Sequence, residues 1–438
     1  MVVSKSQIPA LHARAQKLIP AGCHTYSKGD DQFPSNAPPF LARGEGAYVW
    51  DPTGEKFIDW GMGLRSVLLG HAYPRVVEAV RAQVGVGSNF IRPHLIESEL
   101  AETMNRIIPS AEMVKFAKNG SDVTTAAVKL ARAHTGRDLI LFCKDHPFFS
   151  VNDWFIGTTA CNSGVPKAVQ ELSIPFRYNQ PETLKEAFEK YPDRIAGVIL
   201  EPVTGVEPKD NFLHAVRDMA HRNGAVFILD EMITGFRFSL HGAQSIYNIK
   251  PDLCTFGKAL TNGFSVSALC GKSEIMELGG LLHKKERVFL LSLTHGAEIH
   301  SFAAAQAALA EYEEKNVSAF VARSGLRLQD GFRRVISERG LSAHMSIDGF
   351  SCSPILNFKE ADGSFSFVKK TLYMQEMVKQ RVLMPYIAPS LSHTDAVVDE
   401  TVSAFEKVAP TLKGWFDSAE PRKHLVGEPV KPVFRKYN

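Results

Sequence analysis

Two apolar runs in this chain end abruptly on a charge. Val226-Phe227-Ile228-Leu229 stops at Asp230, and Leu253-Cys254-Thr255-Phe256-Gly257 stops at Lys258. Runs this short and this apolar read as buried strands of a parallel sheet. A carboxylate carried out of water at the end of such a strand is costly unless a positive group receives it. A lysine held away from water has its pKa lowered, and the neutral amine is then a nucleophile able to form a Schiff base. Plainer readings exist for both. Lys258 alone could lie along the sheet rim with its ammonium in water, and the two together could be a structural ion pair.

If the two strands are neighbours, their ends face one cleft and the pair gains a joint use. Pyridoxal phosphate needs an amine for its aldehyde carbon and a carboxylate to keep its pyridinium nitrogen protonated, because the charged ring is the better electron sink. Lys258 and Asp230 would be those groups. The phosphate needs a cradle, and Asn119-Gly120-Ser121 offers one. It follows an apolar run and opens a helix with Val123, Ala126, Ala127, Leu130 and His134 along one face. Unpaired N–H groups at a helix start attract anions, and the Ser121 hydroxyl adds a donor; an ordinary N-cap is the alternative. Gly85 and Gly87 in "VGVGSNF" half-match a dinucleotide loop, but they follow a helical stretch and lack the third glycine. Phe148 and Phe149, just past "LILFC", are candidates to stack on a planar ring, with Met232 on its other face. Core packing is the alternative for each. Glu201 ends "GVIL" as a further acid leaving a buried strand, either to pair with a cation in the cleft or to cap a turn.

The elements that must position these residues alternate from about residue 71 to 315. Strand-like runs "MVKFAKNG", "DLILFCKD", "IAGVILEPV", "AVFILDEM", "DLCTFGKAL", "SALCGK" and "RVFLLSLTHG" are separated by amphipathic helices such as "NFLHAVRDMAHRNG". This predicts an α/β fold, a mostly parallel sheet with helices on both faces, with ligands beyond the carboxyl ends of its strands. Residues 1–70 carry a short helical pattern and a hairpin turned at Asp51-Pro52-Thr53-Gly54. Residues 316–438 open with the helical "SAFVARSGLRLQDGFRRVISERG" and continue as a smaller α+β domain. The Pro- and Lys/Arg-rich tail from "AEPRKHLVG" onward is expected to lie loosely on the surface.

The composition narrows the function classes. The 438 residues are 45% hydrophobic and 22% charged with a formal charge of +3, ordinary for a globular chain and without support for nucleic-acid or membrane partners. Six scattered cysteines (Cys23, Cys143, Cys161, Cys254, Cys270, Cys352) have no metal-ligand spacing and read as reduced thiols, so no metal and a cytoplasmic location are expected. Nothing resembles a signal peptide, and no apolar run approaches a membrane span.

Four segments in order, "KNGSDVTTAAVKLARA", "VILEPVTG", "ILDEMITGFRF" and "PDLCTFGKALTNG", resemble the class-III, fold-type-I pyridoxal-phosphate aminotransferases. Within that class, "PPFLARGEGAYVWDPTGEKFIDW", "LLGHAYPRVVEAVRAQ" and "YIAPSLSHTDAVVDETVSAFEKV" are similar to glutamate-1-semialdehyde 2,1-aminomutases. The resemblance implies a seven-stranded, mostly parallel sheet in a large cofactor-binding domain over 71–315. The small domain would then be built from both termini, 1–70 and 316–438. It further implies Lys258 as the Schiff-base lysine, Asp230 as the pyridinium partner, and Gly120 and Ser121 at the phosphate. Phe148 would stack where the family usually has tyrosine, and Glu201 would lie on the substrate side of the cofactor. "SLTHGAEIHSFAAAQ" is similar to the stretch that crosses a homodimer interface to the neighbouring phosphate, with Thr294 as its donor and Ser292 as the alternative.

Three departures fall where substrate should lie. Lys28 stands where the aminomutases have an arginine on the substrate carboxylate, and a lysine cannot supply the bidentate fork. Leu64 replaces an aromatic and has Arg65 beside it, and Phe148-Phe149-Ser150 replaces "YHG". Lys28 and Arg65 are therefore the candidate substrate-binding cations. The expected reaction is transfer of an amino group from a small donor to a carbonyl acceptor, with Lys258 moving the proton as base and acid. A keto or aldehydo sugar or sugar acid is the expected acceptor. The aminomutase reaction is the alternative, and a nicotinamide dehydrogenase is less favoured because no strand-linked GxGxxG occurs.

Overall fold

The structure, a computed structural model, describes residues 3–296 and 298–437. Strands in chain order are β1 (Arg43–Glu45), β2 (Tyr48–Trp50), β3 (Lys56–Asp59), β4 (Met113–Ala117), β5 (Leu139–Cys143), β6 (Ser173–Phe176), β7 (Ile195–Leu200), β8 (Val226–Asp230), β9 (Leu253–Phe256), β10 (Ser267–Gly271), β11 (Met345–Phe350), β12 (Ser353–Phe358) and β13 (Val382–Leu383). The chain divides into two compact units. One comprises Met1–Leu64, Leu68–Tyr73 and Ala319–Asn438; the other comprises Arg65–Val67 and Pro74–Ser318.

The Pro74–Ser318 unit is built on a seven-stranded sheet of order β4-β10-β9-β8-β7-β5-β6. Every neighbouring pair from β9 to β6 is parallel, whereas β10 runs antiparallel to both β4 and β9. Strands β5, β7, β8, β9 and β10 are buried at every residue, as uninterrupted apolar runs require when both faces are covered. Asp230 sits in register with Thr255 across β8 and β9, so the ends of these two strands are adjacent.

Six of the seven expected strands form. The seventh, "RVFLLSLTHG", is not a strand: residues 287–296 run without regular structure into a turn. Its place in the sheet is taken by β6, at the edge, whose Pro175 lacks the N–H a central strand must donate. Apolar content alone made the first segment look like a strand and the proline hid the second.

The other unit holds a four-stranded sheet of order β1-β2-β3-β13 and the hairpin β11-β12. The expected turn at Asp51–Gly54 joins β2 and β3, with the Asp51 carboxylate accepting the N–H groups of Thr53 and Glu55 at 2.9 and 2.8 Å. Its core gathers Trp60, Phe332, Tyr373 and Phe405, with Phe332 and Phe405 stacked at 4.5 Å. The C-terminal tail differs from expectation. The Val430 N–H donates to Thr371 Oγ1 at 2.9 Å, the Lys431 N–H donates to the Asp31 carbonyl at 2.9 Å, and Val430 itself is buried. These contacts fasten the tail to its unit.

Candidate active site

Asp230 and Glu231 are adjacent buried acids, and their surroundings separate them. Glu231 is fully satisfied: Oε2 accepts from the Ala243 N–H at 2.9 Å and from the Thr234 hydroxyl, and Oε1 accepts from the Gln244 N–H at 2.9 Å. It is a structural acid that ties β8 to the short helix Ala243–Ile246. Asp230 Oδ1 accepts from the Met232 N–H at 2.9 Å and from Thr255 Oγ1 at 3.1 Å. Burial pushes its carboxyl up to about 6, against the pull of the Lys258 charge and these two bonds.

Lys258 follows β9 directly. It is half-buried and held at φ +41°, in the left-handed region that a lysine rarely adopts. Burial pushes its ammonium below the usual lysine range; Glu201 and Asp230 oppose this, while Arg65 and Arg237 add to it. Both acids and both arginines therefore act on the lysine, and all five groups lie within one unit.

Glu201, at the end of β7, does not cap a turn. It is 2% exposed, and neither carboxylate oxygen has a hydrogen-bond partner among the described residues. Burial first, and then the Asp230 charge, push its carboxyl up to about 8, with Lys258 and Arg65 pulling it down. A buried acid with both oxygens unmatched is rare in a native interior and marks a place for a bound group. Arg65 ends a left-handed turn in which Met62, Gly63, Leu64 and Arg65 have φ of 41°, 58°, 59° and 71°.

Asn119 caps the helix Gly120–Thr135: its side chain accepts from the Asp122 N–H at 3.2 Å, and Asp122 reciprocates. Ser121 is buried and its Oγ accepts from the Val151 N–H at 3.0 Å, which leaves the hydroxyl proton to donate elsewhere. The start of β10 steadies the loop, since Ser265 and Ser267 donate to the carbonyls of Lys118 and Asn119, each at 2.7 Å. Gly120 has a second reason to be glycine. A Cβ there would lie 2.8 Å from Met232 Sδ, and one on Gly257 would lie 2.7 Å from the same sulfur. Met232 is thus wedged between the first residue of this helix and the residue before Lys258.

The remaining candidates are less tightly gathered. Phe149 is core, whereas Phe148 is 41% exposed and meets Phe155 edge-on at 5.7 Å. Thr294 is exposed in a turn, its carbonyl accepting from Asn89 Nδ2 at 2.9 Å, and Ser292 is exposed as well. Ala297 of the same segment lies outside the described residues. Lys28 is exposed in the single turn Tyr26–Lys28 of the other unit.

Sequence reasoning missed three groups. Arg237 is fully buried and acts on Lys258; its signal was the arginine inside the apolar "ITGFRF". His146, past β5, accepts the Glu201 N–H on Nδ1 at 2.9 Å, and burial pushes it down to about 3, so the ring is neutral with its proton on Nε2. Thr255 braces Asp230.

The geometry agrees with what the chain resembles. The family described as "Aminotransferase class-III" matches residues 31–408. A glutamate-1-semialdehyde 2,1-aminomutase of Desulfatibacillum aliphaticivorans is 33% identical over 92% of this chain and 99% of its own length. One from Geobacillus kaustophilus (strain HTA426) is 31% identical over 92% and 98%. Among solved structures, the FumI protein of Sphingopyxis sp. MTA144, determined in its PLP internal aldimine form, superposes with a TM-score of 0.87 at 26% identity, covering 95% of this chain and 99% of that one. A glutamate-1-semialdehyde aminomutase from Pseudomonas aeruginosa PAO1 shares the fold at TM-score 0.79 and 18% identity, covering 93% and 94%. These matches set the dehydrogenase alternative aside. The chain belongs to the class-III aminotransferases, enzymes that depend on pyridoxal phosphate.

Proposed function

We propose that this enzyme transfers an amino group from an external donor to a carbonyl acceptor, and that at least one of the two carries an acidic group. The observation that carries the reading is the set of two buried acids, Asp230 and Glu201, and two half-buried cations, Lys258 and Arg65, gathered around Lys258 within one unit. The residues present fit pyridoxal phosphate. Lys258 would hold its aldehyde carbon, Asp230 Oδ2 its ring nitrogen, and Gly120 and Ser121 its phosphate, with Met232 and Phe148 beside the ring. When bound, the cofactor supplies the electron sink and carries the amino group between substrates. Lys258 would move the proton at the substrate carbon, helped by a pKa that burial has already lowered. Arg65 would grip the acidic group, and Glu201 would face the substrate side. Lys28, a point charge without the bidentate fork, is the lesser candidate for that grip.

An aminomutase reaction is the second reading, favoured by the aminomutase relatives at 31–33% identity. A sugar acceptor finds no support in the named relatives, and no residue at the site is particular to one. The deciding experiment supplies glutamate 1-semialdehyde to the cofactor-loaded enzyme with no amino donor. Conversion to an isomeric amino acid would establish the aminomutase. A requirement for an external donor, with release of its oxo form, would establish the transaminase.

We further propose a homodimer. Ile91, Leu95, Leu282, Phe289 and Leu293 are exposed apolar side chains on one unit, and Thr294 lies within the last stretch of them, suited to reach a second copy's phosphate. Sedimentation at micromolar concentration tests this, and a monomer would refute it. No helix among the described residues is long and apolar enough to cross a membrane. All six cysteines are free, which supports the proposal of a reducing, cytoplasmic setting.

A further inference from the structure

Two residues of the candidate site hold left-handed backbones, Arg65 at φ +71° and Lys258 at φ +41°. Such a conformation costs a side-chain-bearing residue about 1–3 kcal/mol and persists only where neighbours hold it. Both holding groups come from the interior behind the site. Arg237 Nη2 donates to the Arg65 carbonyl at 3.2 Å, and Tyr312 Oη donates to the carbonyl of Ala259, the residue after Lys258. Phe236 joins the two, stacked on Tyr312 at 6.1 Å and packed on Phe256 at 5.5 Å. Arg237 has no exposed surface. An apolar side chain of similar volume would fill such a place at less desolvation cost, so packing alone does not account for a guanidinium there.

Resting on the reading of Arg65 as the grip for an acidic group, we propose that Arg237 is a positioning residue. By fixing the left-handed end of the Met62–Arg65 turn it aims Arg65, and so selects carboxylate-bearing amino donors over plain amines. The charge of Arg237 also disfavours a protonated Lys258, an effect separable from the aiming because it needs only the charge and not the planar fork.

The test uses cofactor-loaded wild type, Arg65→Gln, Arg237→Lys, Arg237→Gln and the double variant Arg65→Gln/Arg237→Lys. Single-turnover amination is followed by the cofactor's visible band, with alanine and β-alanine as acidic donors and isopropylamine as the plain amine. Arg237→Lys keeps the charge and loses the fork. We expect its KM for the amino acids to rise about 10-fold or more, with maximal rate and isopropylamine KM within about threefold of wild type. In the Arg65→Gln background the same change should add less than about twofold. Arg237→Gln should in addition move upward the pH at which the visible band changes, while Arg237→Lys leaves it in place.

Equal effects of Arg237→Lys on both donor classes, or an effect undiminished on top of Arg65→Gln, would overturn the positioning role. So would an Arg237→Lys protein that neither folds nor takes up cofactor, since Arg237 would then be structural. If Arg65→Gln itself leaves the amino-acid KM unchanged, or wild type accepts neither donor class, the reading of Arg65 fails first and the proposal with it.

Discussion

Replacing Glu201 by glutamine tests the electrostatics of the site without any substrate. Below pH 4.5 the carboxyl is protonated whether the chain is folded or not, and it costs nothing specific. Between 4.5 and about 8 the unfolded chain ionises it while the buried site keeps it protonated, so folding takes up a proton and stability falls as pH rises. Above about 8 the full penalty is present. At about 1.4 kcal/mol per pH unit, the stretch from pH 5 to pH 8 amounts to a ceiling of about 4 kcal/mol. Glutamine has the same shape and no such titration. The expectation is that wild type loses at least about 2 kcal/mol more than Glu201→Gln between those two pH values. Urea unfolding of the cofactor-free protein, followed by circular dichroism at pH 5, 6, 7 and 8, reads the difference directly. Parallel behaviour of the two proteins to within about 0.5 kcal/mol would refute the claim that this carboxyl is buried and unmatched.

Three further outcomes are expected. Borohydride reduction of the cofactor-loaded enzyme, followed by peptide mapping, should label Lys258, and Lys258→Ala should lower turnover at least about 10³-fold; label on another lysine would overturn its assignment. Gly120→Ala places a Cβ 2.8 Å from Met232 Sδ and should cost about 1–3 kcal/mol in unfolding free energy, recovered in large part when Met232→Ala is added. Glu231→Gln breaks a satisfied carboxylate that accepts from Thr234, Ala243 and Gln244; it should lower stability by about 2–4 kcal/mol, while the surviving folded protein keeps its kcat within about threefold.

The frame of the large sheet was readable in the sequence because its strands are buried on both faces, and burial writes itself as unbroken apolar runs. Asp230 and Lys258 stood out for the same reason: each is the first charge after such a run. The adjacent Glu231 is just as buried, and its hydrogen bonds from Thr234, Ala243 and Gln244 identify it as structural. What stayed hidden depends on contacts distant in sequence. Arg237 reaches Arg65 across 172 positions, and His146 reaches the Glu201 N–H across 55. Neither leaves a local pattern. Pro175 disguised an edge strand, and Leu290 and Leu291 suggested one where the chain is irregular. The left-handed turn at Met62–Arg65 contains one glycine for four such residues, so composition gave no warning of it.

The thioether of Met232 fills the space beside two glycines, one opening the helix Gly120–Thr135 and one directly ahead of Lys258, the two places proposed to hold opposite ends of the cofactor. One flexible side chain thereby makes these anchors a single mechanical part. Neither glycine can gain bulk without pushing on the other's loop.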